Sequence, residues 1–600
     1  MEQKRLFIAI AASLAILLGF EFLVQPHLPH PPPPPPSAVA SNTGNADSGG
    51  TVPGPSASSG ATAGLSAPAT AAAASTTSPT VAIKAPSLDG TISLRGALLD
   101  NIVLTDYHET IDPKSPLVQL LEPTSHSQPY YIQYGWTAAP GAMLDGAPVK
   151  LPDSGTLWAA SAPTLDPGHP LTLTWANGQG LTFAIKLAID DHYMFTVDQS
   201  VASTAKQAVA LYPWSRIRRD YQPPISGYYL LYEGPVGVFQ GTLHEIGYKN
   251  VRTTGAHADG LGYSESSDGG WLGFTDKYWL TALIPGQRDD MSGQVRSITV
   301  NGKQGYQADF LANQPETLAP GATVTTSSRV FTGAKVVRLL DRYEAEYNIP
   351  SFDKAVDFGI FYFLTKPIFF ALDFLYHALG NFGLAIMVFT LAVKLLFFPL
   401  ANKSYKSMSK MKLLGPKMQE VRERFKDDPA KQQSEIMGLY RSEKVNPASG
   451  CLPMIIQIPV FFCLYKVIFV TIEMRHAPFF GWIHDLSATD PTNVFTLFGL
   501  VQWDPTAIAP FLHLGLWPLI MGCTMVLQQR LNPPPPDPTQ ARLFQLMPIM
   551  FTFMLARFPA GLVIYWSWNN LLSCAQQWFI MRRTRLERPQ RMLRTARKGA

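Results

Sequence analysis

The stretch Phe382 to Leu400, FGLAIMVFTLAVKLLFFPL, is apolar and long enough to cross a bilayer, and it carries one ammonium group, Lys394. A lysine at the centre of a spanning helix costs roughly 2.5–3.5 kcal/mol on insertion scales, so it faces protein or water rather than lipid. Two readings are open at this point. Lys394 lies six residues from the end of the run, about 9 Å, and its stem can snorkel to the interface. Alternatively it lines a polar cavity, and Thr390, four residues earlier, adds a hydroxyl to the same face.

Six hundred residues are too many for one domain, and 46% hydrophobic against 15% charged tilts the chain toward membrane. The four cysteines, Cys451, Cys463, Cys523 and Cys574, all fall in or beside apolar runs of the last third. They build neither a disulfide framework nor a CxxC metal site, and there is no G-x-x-x-x-G-K phosphate loop, so no cofactor or metal is expected.

Lys4 and Arg5 precede the apolar residues 6–24, which read as a signal peptide or an anchor. The run is long and no A-x-A-like site follows, which favours an uncleaved anchor, residues 1–24, with its N-terminus in the cytoplasm. Residues 25–80 are rich in Pro, Ala and Ser and form a tether with no core. Residues 81–334 change to short alternating runs. Leu171 to Trp175 and Leu181 to Leu187 flank Asn177-Gly178 as a hairpin, and Tyr193 to Val197 continues the period of two. An exported all-β sandwich fits. Trp271, Tyr278 and Trp279 offer sugar-stacking rings, though aromatics scattered in a β domain more often build core.

Residues 335–381 read as connecting and interfacial amphipathic helices. Further spans are expected at 452–472, 511–527, about 541–556, and 558–581, giving six in all and a five-helix core at 382–581. Residues 401–446 hold eleven Lys or Arg against six Asp or Glu. Met411, Leu414, Met418, Val421 and Phe425 form one apolar seam there, Asp428-Pro429 starts a second helix, and Ile436, Leu439 and Tyr440 face back from it. This is a helical hairpin in water, and its positive excess places it in the cytoplasm. Loop 473–509 carries one basic and four acidic residues and lies outside, its apolar stretch 494–501 resting on the surface. The tail 582–600, eight basic and one acidic, lies inside. Lys466 sits near the outer end of its span and reads as snorkelling outward.

With orientation set, Lys394, Gln457, Gln528 and the stripe Trp566, Asn570, Ser573, Gln577 all fall in the cytoplasmic half of the membrane. Interhelical hydrogen bonds explain Asn570 or Ser573. They explain Lys394 poorly, because the spans offer no Asp or Glu at its depth. A hydrated groove open to the cytoplasm fits better.

KMKLLGPKMQEVRERF (410–425), EKVNPASGCLPMIIQIPVF (443–461), APFFGWIHDLSATDP (477–491) and RFPAGLVIYWSWNNL (557–571) resemble the YidC membrane protein insertases, relatives of the mitochondrial Oxa and chloroplast Alb proteins. GGWLGFTDKYWLTALIP (269–285) extends the resemblance to the exported domain of Gram-negative members. The resemblance implies an inner-membrane insertase and folding chaperone, not an enzyme, that works on nascent membrane proteins alone or beside the Sec translocon. Its partners would be the ribosome, through the hairpin and basic tail, and membrane lipids, with no small-molecule substrate. It implies a groove cation at Lys394, where the family often has arginine, and substrate contact near Thr390, Tyr565 and Trp566. It further implies a hydrophobic slide, which here would comprise Ile458, Pro459, Phe461, Met554 and Tyr565. The alternative function is a secondary transporter or channel using Lys394, which would call for an inverted repeat and outward access.

Overall fold

A computed structural model describes residues 78–596 apart from 226–230, 444–451, 502, 504, 508–511 and 533–537. The expected anchor, nearly all of the tether, Cys451 and the last four residues of the tail lie outside the described residues. The described residues divide into two compact units, one within 78–382 and 459–488, the other within 383–458 and 489–596.

The first unit is built on an eleven-stranded and a nine-stranded sheet among the described residues. The expected hairpin forms with Leu171 opposite Leu187 and Ala176 opposite Thr182. Its turn is closed by the Asn177 side-chain carbonyl, which accepts from the backbone N–H of Gln179 at 2.8 Å and of Leu181 at 3.1 Å, while Gly178 takes φ +74°. The third strand is Met194–Ser203, longer than the alternation suggested. Aromatic contacts between sheets, Trp136 on Phe183 at 5.0 Å and Phe239 on Phe310 at 6.2 Å, fill the core. Trp271 is fully buried and its indole N–H donates to the Pro350 carbonyl at 3.2 Å, so it is core rather than a stacking platform. The unit is not all β: helix α1, Tyr248–Gly255, packs Val251 beneath one sheet edge. Gly262 permits that approach, because a Cβ there would lie 2.5 Å from the Val251 Cα.

Helix α2, Val337–Tyr347, follows the last strand and buries Val337, Leu339, Leu340 and Tyr343. Asn348 ends it in the left-handed conformation, φ +54°. Helix α3, Tyr362–Leu379, buries Asp373, which binds the Arg338 guanidinium through bonds of 2.5 and 2.9 Å. Lys466 does not snorkel: its ammonium donates to Asp357 at 2.7 Å and both side chains are largely buried. No local pattern joins residues so far apart in sequence.

Glu473 accepts from the Val337 N–H at 3.0 Å, holding the first turn of α2, while its second oxygen is buried without a partner among the described residues. Burial pushes this carboxyl up to about 7, against the bonds from backbone N–H groups that lower it, with Asp373 raising it further and Arg338 lowering it. A carboxyl that holds its proton more tightly folded than unfolded stabilises docking at low pH, and that stability is lost as pH rises from the ordinary carboxylate range through about 7. Amide exchange at Val337, corrected for intrinsic rate, is therefore expected to be slower at pH 5.5 than at pH 8. Glu473→Gln should flatten the difference; an unchanged pH dependence in that variant would refute the assignment.

The second unit is helical. The run starting at Phe382 is not one straight helix: α4, Phe382–Leu396, breaks at Phe397 and α5, Phe398–Leu413, leaves at a bend of 68°. Pro399, in the first turn of α5, supplies the reason. It has no N–H for the preceding helix and its ring clashes with the carbonyl four residues back. Helices α6, Gly415–Arg424, and α7, Pro429–Ser442, form the expected hairpin, with Leu414, Met418, Ile436 and Tyr440 buried together and Met411, Val421 and Leu439 around them. Asp428 caps α7 by accepting from the Lys431 N–H at 3.1 Å.

Helix α8, Leu452–Val470, comes next in the chain. It is followed by α9, Leu516–Leu531, α10, Pro538–Leu555, and α11, Ala560–Ala596. Helix α9 begins five residues later than the apolar run suggested. Its N-terminus is fixed by the buried Asp490, which accepts from the Trp517 N–H at 2.8 Å, and by Thr492, which accepts from the Leu516 N–H at 2.9 Å. Among the described residues no single helix is long and apolar enough to cross a membrane. The bent pair α4–α5 passes that test together, by length and composition.

Candidate functional site

The polar groups singled out above all belong to helices of the second unit, and their neighbours there are particular. Lys394 is half-buried on α4 and donates to the Ser573 hydroxyl of α11 at 2.7 Å. Ser573 is buried, and its hydroxyl donates to the backbone carbonyl of Asn569 at 2.8 Å. Trp568 Nε1 donates to the Met387 carbonyl at 3.1 Å, a second bond from α11 to α4. Tyr405, Met408 and Ile580 close the apolar contact between α5 and α11 below. Among the described residues no carboxylate pairs with Lys394.

Thr390 shares the face of Lys394, but the residue is 3% exposed and its hydroxyl donates to the Ile386 backbone carbonyl at 2.6 Å. The stripe on α11 divides. Asn570 donates to Thr524 of α9 at 3.2 Å, and Gln577 donates to the Leu531 carbonyl and to Asn532, both at 3.1 Å. Trp566 packs against Met521, Leu555 and Val563, with the Phe551 ring 6.0 Å away. These three join α11 to α9 and α10, while Ser573 alone of the stripe reaches Lys394. Gln528 is half-buried on α9, one turn beyond Thr524. Gln457 is half-buried on α8 and its amide donates to the hydroxyl of Tyr565.

Of the expected apolar slide, Ile458 and Met554 are 47% and 48% exposed, and Pro459 and Phe461 are half-buried. Tyr565 is 2% exposed, which places it beside Gln457 in the interior rather than on an apolar outer surface.

Sequence reasoning missed Asn569 and Gln576. Asn569 Oδ1, Gln576 Nε2 and Gln577 Oε1 are buried with no hydrogen-bond partner among the described residues. Buried polar atoms are ordinarily met by protein or by water. Asn569 lies one helical turn from Ser573, so spacing could have included it had the stripe been drawn wider.

Comparison with known proteins covers most of the chain. Residues 374–588 match the family model described as 60Kd inner membrane protein, and residues 80–371 match the YidC periplasmic domain. The chain is 56% identical to a membrane protein insertase YidC of Granulibacter bethesdensis over 98% of this chain and 99% of that one. It is 46% identical to the YidC of Methylorubrum extorquens over 97% and 95%. Among solved structures, the crystal structure of an active YidC insertase with its first transmembrane domain resolved is 17% identical, covering 83% of this chain and 92% of that one, with a TM-score of 0.34. A galactose mutarotase related enzyme from Lactobacillus acidophilus is 8% identical over 42% of this chain and 97% of its own, with a TM-score of 0.27. On the two family models and the relatives' near-complete coverage, the chain belongs to the YidC family of bacterial inner-membrane insertases, proteins that act on membrane proteins and carry a periplasmic domain.

Proposed function

We propose that this chain inserts newly made membrane proteins through a hydrated, positively charged groove centred on Lys394 and open to the cytoplasm. The carrying observation is an ammonium inside apolar helices whose described partner is a neutral hydroxyl rather than a carboxylate. An anionic or strongly polar flank of a passing chain would supply what Ser573 does not, a counter-charge. The unmet atoms of Asn569 and Gln577 on the same helix favour water in that region. Water and polar side chains held inside the membrane shorten the dry path that a hydrophilic segment must cross. Burial of about 20 apolar residues in lipid, beside Ile458 and Met554, drives the rest without nucleotide.

In this reading the chain spans the membrane six times with both termini inside, and the hairpin α6–α7 stands in the cytoplasm. The hairpin and the basic tail attract ribosomal RNA by charge, and the protein works alone or beside the Sec translocon as an insertase and chaperone. Leu497, Phe498 and Leu500, 56%, 56% and 85% exposed in the loop after α8, suit the outer membrane surface.

Cysteines placed singly at Gln457 and Ser573 test the groove. A membrane-impermeant thiol reagent applied from the cytosolic side should modify both, and leave a cysteine at the exposed apolar position Leu546 unmodified. Silence at both groove positions, with the variants still folded, would dismiss a wet cavity.

A further inference from the structure

Helices α9 and α10 cross closely at Gly522, where a Cβ would lie 2.2 Å from the Thr552 hydroxyl oxygen. The close crossing leaves a groove of about 470 Å³ beside it, walled by Cys523, Val526, Leu527, Ile549 and Phe553. Val526, Leu527 and Ile549 are 38%, 47% and 56% exposed, so the groove opens along its side. Its wall is apolar even at Thr552, whose hydroxyl is spent on the Pro548 carbonyl at 2.7 Å.

One end of the groove is cationic. Arg530 lines it there, and the ammonium of Lys412, from α5, reaches the Arg530 carbonyl at 3.5 Å. Arg542, exposed near the start of α10, belongs to the same end. Between Gly515 and Met547 the sequence holds one acidic residue, Asp537. In the topology proposed above this end faces the cytoplasm, where the leaflet is anionic.

We propose that this groove is a binding site for one anionic phospholipid of the inner leaflet, its acyl chain along Val526 and Ile549 and its phosphate on Arg530 and Lys412. Charge favours an anionic headgroup, since basic pockets between spanning helices at the cytoplasmic side hold such headgroups. Guanidinium and ammonium together suit a phosphate diester. The proposal rests on the spanning arrangement of the proposed function, not on the groove at Lys394.

Cys523 provides a probe in place, being exposed whereas Cys463 and Cys574 are buried. The full chain carrying Cys451→Ser is labelled at Cys523 with a bimane fluorophore and reconstituted in vesicles of phosphatidylcholine with either chain-brominated phosphatidylglycerol or chain-brominated phosphatidylcholine at equal mole fraction. Brominated phosphatidylglycerol should quench at least twofold more. Arg530→Gln should bring the two lipids to parity, Arg530→Lys should keep the preference, and Val526→Trp should reduce quenching by both. Equal quenching by the two lipids in the parent, or a preference that survives Arg530→Gln, overturns the site. Quenching by neither lipid refutes the spanning arrangement itself. Efficient crosslinking of Cys523 to a stalled nascent chain, with loss of lipid quenching, would assign the groove to substrate instead.

Discussion

Replacing Lys394 by glutamate is expected to abolish insertion in a cell depleted of its own insertase, with alanine severely impaired and arginine close to the parent. The ordering follows from the charge. The ammonium is held at 2.7 Å from Ser573 with no described carboxylate beside it, so an incoming anion meets an uncompensated cation. A charge-assisted hydrogen bond is worth about 1.5–3 kcal/mol, and each 1.4 kcal/mol is tenfold. Alanine should therefore slow insertion of substrates with acidic flanks by about ten- to a hundredfold, while leaving those with neutral, short flanks less affected. Glutamate repels the same flanks and buries a charge of its own. Arginine keeps the charge and adds a planar fork that binds carboxylates in pairs, so it should match or exceed lysine. Protease protection of a reporter with its translocated flank changed from acidic to neutral measures this directly. Equal rates for lysine, alanine and glutamate with the acidic reporter would leave Lys394 no role beyond anchoring α4 to α11.

The apolar periods along the chain carried some of this architecture plainly and left other parts invisible. The seam of Leu414, Met418, Ile436 and Tyr440 was readable because a helix repeats its face every three to four residues and both partners lie close in sequence. The Asn177-Gly178 turn was readable for the same local reason. Pro399 was in plain view, yet the apolar run was carried through it. A proline two residues into a new helix marks a break that hydropathy alone ignores.

Periodicity also gives a face without naming the neighbour. Trp566, Asn570, Ser573 and Gln577 do share one side of α11, but three of them face α9 and α10 while Ser573 meets α4. Pairings such as Lys466 with Asp357 join segments 109 residues apart, and Asp490 fixes the start of α9 across a loop. Such pairs are set by tertiary packing, and no spacing rule reaches them.

Asp309→Ala in the β-rich unit should be among the most destabilising single changes in the molecule. Asp309 stands directly opposite Arg216 on adjacent strands, its carboxylate 2.6 Å from Arg216 Nε and 2.7 Å from the Gln307 amide. Both ions are essentially unexposed, at 1% and 0%. Removing the carboxylate leaves a guanidinium that has lost its buried counter-ion, which costs about 3–5 kcal/mol against the 5–15 kcal/mol typical of a domain. For a unit of this size that corresponds to a fall of about 10 °C in the midpoint of β-structure loss, measured by circular dichroism on the full chain in detergent. Replacing both partners, as Arg216→Met with Asp309→Leu, removes the stranded charge and should recover most of the loss. If the double variant is as unstable as Asp309→Ala, the pair matters through shape rather than charge. The same variants separate fold from function: at a temperature where Asp309→Ala keeps its β structure, insertion should match the parent, because neither residue belongs to the helices that hold Lys394. A defect that persists at that temperature would mean the β-rich unit takes a direct part in insertion.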